Sequence, residues 1–333
     1  GMLFSISAVA NLPEESTPKL LELAPLPEYK ETTKNIVAAL NHRHYIRAIL
    51  DDDISELIFS SYLSDIDPSK SYLLAEDIKS FSRFRLELDN ALRRGDIEPA
   101  FIIFNLYQEK VILRLEKIIA LLETGTDQFN FDEDETLELD RKEAAWAASE
   151  SELDDLWRRR IKNDVLNLRL AKKESQSISE LLLKRYKNRL KRTRQIRSED
   201  VYQLFMNAFT KTYDPHTQYF SPTTSENFNI NMSLSLEGIG AVLEVEDEYT
   251  KVVSLVPAGP ADKAKQLQPN DFITSVGQGL EGEMVNVIGW RLDDVVQLIR
   301  GKKDTIVRLE ILSSNAADSS LGRIIQITRN KVN

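Results

Sequence analysis

Cysteine is absent from this 333-residue chain, which excludes disulfides, iron–sulfur clusters and thiol catalysis and leaves the redox compartment open. Histidine is scarce. His42 and His44 stand two residues apart, so on a helix they point to different faces, and no carboxylate completes a zinc-binding H-E-x-x-H. His216 lies in Asp214-Pro215-His216, which suits a turn better than an acid–base pair. Basic charge is in deficit: 43 Lys and Arg face 53 Asp and Glu, a net charge of −10, with an isoelectric point near 5.1. That balance argues against general affinity for nucleic acid or anionic membranes. No apolar run approaches the roughly 20 residues of a membrane span, so stable membrane insertion is not expected. Glycine patterns for nucleotides are missing too, because Gly277-Gln278-Gly279 lacks a third glycine and a following helix. No serine sits in a G-x-S-x-G turn, although serine and lysine are abundant enough that composition alone does not exclude a Ser–Lys dyad. We therefore expect no cofactor and no metal.

Apolar residues make up 42% of the chain, enough for buried cores, and the length suits about two domains. Leu3 to Ala10 is apolar and ends Ala8-Val9-Ala10, like the tail of a signal peptide with an A-x-A cleavage site. A frayed apolar terminus is an equal reading, since a basic n-region is missing. Pro13, Pro18, Pro25 and Pro27 then suggest extended chain, so residues 1–30 read as a signal-peptide remnant and lead-in. Over 31–213 the apolar spacing is helical. It predicts helices around Ile36–Ile49 and Ile54–Tyr62, a third over Leu74–Leu92 ended by Gly95, and a long one over 97–123 closed by Gly125. An acidic loop over 126–140 separates these from helices over 153–170, 178–196 and 201–213. Two prolines in Asp214–Pro222 mark a linker, placed at 214–225. From 226 to 333 short β-branched runs appear at 239–246, 251–256, 272–276, 305–312 and 323–329, with short helices near 260–266 and 291–300. The expected fold is multidomain: an all-α N-terminal domain, then an α+β domain with a small barrel-like sheet and two helices.

Chemistry concentrates in that second domain. Glu237-Gly238-Ile239-Gly240 opens the apolar run Ile239 to Val245. Two glycines one residue apart free the backbone, so successive amides can converge on one concavity. Gly238, Ile239, Gly240 and Ala241 are the candidate seat for a peptide carboxylate. Each hydrogen bond to that charged group contributes roughly 1.5–3 kcal/mol. The strand that follows, with Leu243 and Val245, can accept a peptide as an added strand. Leu292, Val296 and Ile299 recur at helical spacing and form the facing wall of a groove, with Gly301 expected to stop that helix. Burying one apolar ligand side chain there contributes roughly 1.5–3 kcal/mol.

The stretch Lys184 to Arg197, KRYKNRLKRTRQIR, holds eight basic residues and no acid. It reads as a solvated helical face pairing with Asp132–Glu135 and Asp154–Asp155, or as a site for an acidic protein partner.

The segments SLSLEGIGAVL (Ser233–Leu243), LQPNDFITSVG (Leu267–Gly277) and RLDDVVQLIRG (Arg291–Gly301) together resemble a PDZ domain. More of the chain resembles the bacterial tail-specific proteases, the C-terminal-processing serine peptidases of the periplasm. The matching segments are HRHY at His42–Tyr45, LDRKEAAWA at Leu139–Ala147, LWRRRIKNDVL at Leu156–Leu166, RYKNRL at Arg185–Leu190 and DPHTQYFSP at Asp214–Pro222. Two positions depart from the family pattern: Asn270 and Asp304 stand where glycine is usual. The resemblance implies a PDZ domain that binds the free apolar C-termini of substrate proteins and helps deliver and gate them for proteolysis. It also implies a periplasmic location, and a helical domain that frames the substrate entrance or docks an adaptor. In the family a peptidase domain with a serine nucleophile and a lysine base follows the PDZ domain. No residue here matches either, so the chain is expected to be a fragment without a catalytic centre. A non-catalytic peptide-binding scaffold is the alternative.

Overall fold

The computed structural model describes residues 22–43, 49–171, 174–233, 236–313 and 322–332. Leu3–Ala10, His44 and most of the proline-rich lead-in lie outside the described residues. The first part is helical: α1 (Tyr29–Arg43), α2 (Asp52–Ile66), α3 (Ala75–Phe81), a 3₁₀ turn (Ser82–Phe84), α4 (Leu88–Arg94), α5 (Glu98–Glu123), α6 (Glu150–Leu170), α7 (Ser175–Arg194), α8 (Ser198–Thr210) and α9 (Pro222–Ser233).

Helix α5 joins two cores. Its N-terminal half buries Phe101 and Phe104 with Ile58 and Tyr62 of α2, Leu92 of α4 and Phe205 and Phe209 of α8. Its C-terminal half buries Val111, Leu115, Ile118 and Leu122 with Trp157 and Ile161 of α6 and Ile178 and Leu182 of α7. A helix apolar along its whole length suits this position, since each half has its own partners.

Two differences from the sequence reading have local causes. The helix expected over Leu74–Leu92 is broken into α3, the 3₁₀ turn and α4. The buried Ser55 of α2 holds the break, its hydroxyl donating to Arg85 O at 2.9 Å and accepting from Leu88 N at 2.9 Å. The predicted linker at 214–225 runs into α9, because Ser221-Pro222 starts a helix instead of breaking one. Ser221 Oγ accepts the Thr224 amide at 3.2 Å, and the proline occupies the first turn, where its missing N–H costs nothing.

The acidic loop before α6 is clamped through Glu135, whose carboxylate accepts from Arg158 (Nη1 to Oε2, 3.2 Å; Nη2 to Oε1) and from Lys162. The bonds from Arg158, then Lys162, lower its pKa to about 2, from an ordinary value of 4.5. A carboxylate with a depressed folded pKa stabilises above the unfolded value, and that contribution disappears as pH falls through the folded one. The loop is therefore expected to lose amide-exchange protection between pH 4.5 and about 2. Glu135→Gln should show the loosened loop already at neutral pH. A loop whose exchange is unaffected by either change would refute the clamp.

The second part contains β1 (Leu236–Gly238), β2 (Ala241–Glu246), β3 (Tyr249–Leu255), α10 (Pro260–Ala264), β4 (Phe272–Gln278), β5 (Met284–Asn286), α11 (Leu292–Ile299), β6 (Ile306–Leu312), β7 (Arg323–Thr328) and β8 (Asn330–Val332). The main sheet is antiparallel in the order β2-β3-β4-β6-β7, with β5 also on β4, while β1 and β8 pair separately. Period-two burial places Val307, Leu309 and Ile311 of β6 in one core with Ile325 and Ile327 of β7 and Val295 and Ile299 of α11. The two family departures are accommodated: Asn270 adopts φ +71° and Asp304 φ +68°, the left-handed conformation glycine would take there. The architecture is thus an all-α domain followed by an α+β domain. No helix among the described residues is long and apolar enough to cross a membrane.

Candidate peptide-binding groove

The loop between β1 and β2 has a specific polarity. Ile239 O accepts from Ala261 N at 2.8 Å, and Gly240 O accepts from Val256 N at 2.9 Å. In a trans peptide the carbonyl and the next amide point to opposite sides of the chain. With both carbonyls turned toward the domain, the amides of Gly240 and Ala241 point away from it. Register says the same of Ala241. It faces Leu255, and the Val256–Gly240 bond makes this a non-hydrogen-bonded pair, so its amide aims at the open edge. Neither Ile239 N nor Gly240 N donates to another described residue. Gly240 has φ +72°, which favours glycine, and a Cβ there would sit tightly, 3.3 Å from a Val332 methyl and 3.4 Å from Gly259 Cα.

Strand β2 lies at the edge of the main sheet, with α11 beside it. The sequence candidates separate by depth. Gly238, Ile239 and Gly240 are buried, and the Ile239 side chain belongs to the core, so only its amide is available to a ligand. Leu243 on β2 and Leu292 and Val296 on α11 are half-buried, and Val245 near the end of β2 is 41% exposed. Ile299 is 3% exposed and packs into the core beneath the wall.

Gly301 does not end α11 by a left-handed turn. Arg300 is already extended (φ −63°, ψ 159°), and Gly301 is not among the positive-φ glycines. A Cβ on Gly301 would stand 2.8 Å from the Arg329 guanidinium carbon, so glycine is needed for room. Sequence reasoning missed Arg329. Only 3% exposed, it donates to Ile299 O (2.8 Å), Leu298 O (3.0 Å), Gln278 Oε1 (2.6 Å), Thr305 Oγ1 (3.0 Å) and Ile306 O (3.3 Å). It thereby caps the C-terminal carbonyls of the groove helix. Burial lowers its pKa, and no described carboxylate pairs with it.

The basic stretch Lys184–Arg197 is not a free face. Asp132–Glu135 and Asp154–Asp155, its expected partners, are engaged elsewhere: Glu135 and Asp155 with α6, Asp154 with α5. Part of the stretch pairs within the helical domain, Arg185 with Asp164, Lys187 with Glu123 and Arg194 with Glu116, and part meets acids of the second domain. Lys184 pairs with Asp247, which also accepts from Asn188 Nδ2 at 3.0 Å. Lys191 lies 3.9 Å from Glu248, and Arg197 binds Asp294 through both guanidinium nitrogens. Gln195 Nε2 donates to Gly289 O at 2.6 Å. Reciprocally, Arg291 grips Asp200 at 2.6 and 3.0 Å and donates to Gln195 O at 3.0 Å. Hydrogen bonds to Asp200 raise the Arg291 pKa, and bonds to Asp294 raise that of Arg197. At the other end of α11, Arg300 donates to Asn227 of α9 at 2.7 Å. The helical domain therefore holds the N-terminal end of the groove helix, and α9, at the junction of the two domains, holds its C-terminal end.

The remaining histidine sites fit bland roles. His42 is exposed on α1, and the His216 amide donates to Asp214 Oδ1 at 3.2 Å, an Asx turn. Among the described residues no group of three His, Asp or Glu could hold a metal ion.

Two family models match the chain: the tail specific protease N-terminal domain over residues 36–223 and the PDZ domain over residues 227–312. A tail-specific protease of Haemophilus influenzae is 39% identical over 306 residues, which is 92% of this chain and 43% of that protein. A carboxy-terminal processing protease of Bacillus subtilis is 38% identical over 99 residues, 29% of this chain and 20% of that protein. The chain thus spans less than half the length of either. Among solved structures, the PDZ domain of a carboxy-terminal protease from Vibrio cholerae, in complex with a peptide, is 48% identical with a TM-score of 0.28, covering 30% of this chain and 99% of that one.

Proposed function

This chain belongs to the tail-specific protease family, and on that premise we propose that its PDZ domain captures the free, apolar C-terminus of a substrate protein for delivery to proteolysis. One observation carries the reading: the Gly240 and Ala241 amides face outward at the start of β2, whose outer edge pairs with no described strand, beside a half-buried apolar helix face. A terminal carboxylate would accept those amides, with Ile239 N as a third donor. The tail would then lie along β2 as an added strand. Leu243, Leu292 and Val296 would line the pocket for its last side chains, above a floor that includes Ile299. Tethering raises the effective concentration of the tail near the protease active site. Cleavage belongs to a peptidase domain that the matched segments do not include, and the location that goes with this reading is the periplasm.

The test is titration with a peptide ending in apolar residues, made as the free acid and as the C-terminal amide. Loss of one charge-assisted hydrogen bond, about 1.5–3 kcal/mol, should weaken the amide by at least about tenfold. Val296→Glu should weaken the free acid by a similar factor, because it puts a buried charge against an apolar side chain. Equal affinity of acid and amide would remove the carboxylate from the reading.

A further inference from the structure

The groove does not end with the PDZ domain. Beyond Val245 and Leu292 it opens into a cavity of about 250 Å³ whose opposite wall is the end of α7 in the helical domain, through Lys191 and Arg192, with Gln195 just after it. We propose that this cavity is a specificity subsite for the fifth residue from the end of a captured tail, and that it takes an aromatic side chain. The inference rests on the tail-capture reading given above.

Geometry fixes the position. With its carboxylate at the start of β2, a tail added to that strand runs antiparallel to it, one residue for each residue of β2. If the last residue lies level with Ala241, the fifth from the end lies level with Val245. Side chains alternate, so the last, third-last and fifth-last residues share the face toward α11. The fifth-last side chain thus leaves the groove past Leu292 and enters the cavity.

The walls fix the chemistry. Trp290 and Val245 both line the cavity and are each 41% exposed, and Trp290 has no ring partner among the described residues. An aromatic side chain would cover both. Arg192 is exposed and has no carboxylate partner among the described residues, whereas its neighbours Lys187, Lys191 and Arg194 each have one. Its guanidinium is free to lie over an aromatic face. An acidic side chain would gain Arg192 but would meet Asp247, Glu248 and Asp293 on the same rim.

The helical wall is held close by sequence. Gly289 has φ +78°, and a Cβ there would come within 2.2 Å of Lys191 Nζ. The lysine tip could move aside, but the positive φ favours glycine, and the Gln195 bond to its carbonyl ties this loop to the end of α7. The subsite is therefore made by both domains and is absent from either alone.

The experiment is calorimetric titration of the whole chain with seven-residue free-acid peptides that share an apolar C-terminus and carry Phe, Ala, Asp or Lys fifth from the end. The Phe peptide should bind about tenfold tighter than the Ala peptide. It should also shift Trp290 emission to the blue. In Trp290→Ala and in Arg192→Ala the Phe advantage should shrink, to within about twofold for the former, while the affinity of the Ala peptide is unchanged. Equal affinities for Phe and Ala, with free acid still preferred over amide, would overturn the subsite and leave tail capture standing. Tightest binding by the Asp peptide would also overturn it, in favour of a charge subsite. No preference for free acid over amide in the Ala peptide would overturn both readings.

Discussion

Replacing Arg329 with alanine is expected to destabilise the PDZ domain by about 3 kcal/mol or more. The side chain is nearly inaccessible and donates to five acceptors, two of them the last carbonyls of α11. Truncation strands these acceptors in a site too buried to be fully rehydrated, and each orphaned group costs about 1–3 kcal/mol. Two terms work the other way: the desolvation of an unpaired guanidinium disappears, and water enters part of the space. The net loss stays large because the acceptors come from three separate elements that the fork of donors holds in register. Arg329→Lys should recover only part of it, since a single ammonium cannot reach both α11 and Gln278. For a domain of this size about 3 kcal/mol lowers the melting temperature by roughly 12–24 °C, readable by calorimetry as one of two transitions. A shift of only a few degrees would show that Arg329 is not what holds the groove helix.

In the helical domain the comparable position is Asp67, at the end of α2. It is 1% exposed, and its carboxylate accepts the amides of Ser71 (2.9 Å), Tyr72 (3.0 Å) and Leu73 (3.0 Å). These bonds fold the turn after α2 so that Ser71 O receives the Trp157 indole N–H at 2.8 Å, joining the turn to α6. Asp67→Ala leaves three buried donors without partners, for an expected loss of about 3–5 kcal/mol. Asp67→Asn keeps an acceptor for some of them and should fall in between. Chemical unfolding followed by tryptophan emission reads both variants, because Trp157 is buried beside the turn. If alanine costs less than about 1 kcal/mol, the amides have found other partners and the turn is held by packing alone.

Neither residue could be picked out in the sequence. An arginine at the end of a β-branched run and an aspartate after an amphipathic helix look like ordinary surface charges. Their burial follows from what the fold brings over them, such as Gly301 opposite Arg329, which is distant in the chain. The same holds for the basic stretch. That it would be helical was readable, and α7 forms there. Which acids it would meet was not, because Asp247 and Glu248 reach α7, and Asp294 reaches Arg197, only when the domains dock. The three-residue strands β1, β5 and β8 carry too few residues to show a period and exist through their pairing. In α9 the local cue was present, since Ser221-Pro222 is a helix start as readily as a break.

What the sequence by itself determined is the division into a helical and an α+β domain, the family, and the glycine loop beside an apolar strand and helix. These depend on spacing and on backbone freedom, which are local properties. Only the tertiary structure decided which amides face outward, which candidates sink into the core, and that the helical domain walls the far end of the groove. Those depend on contacts between residues far apart in the chain, where burial and partner are set by packing.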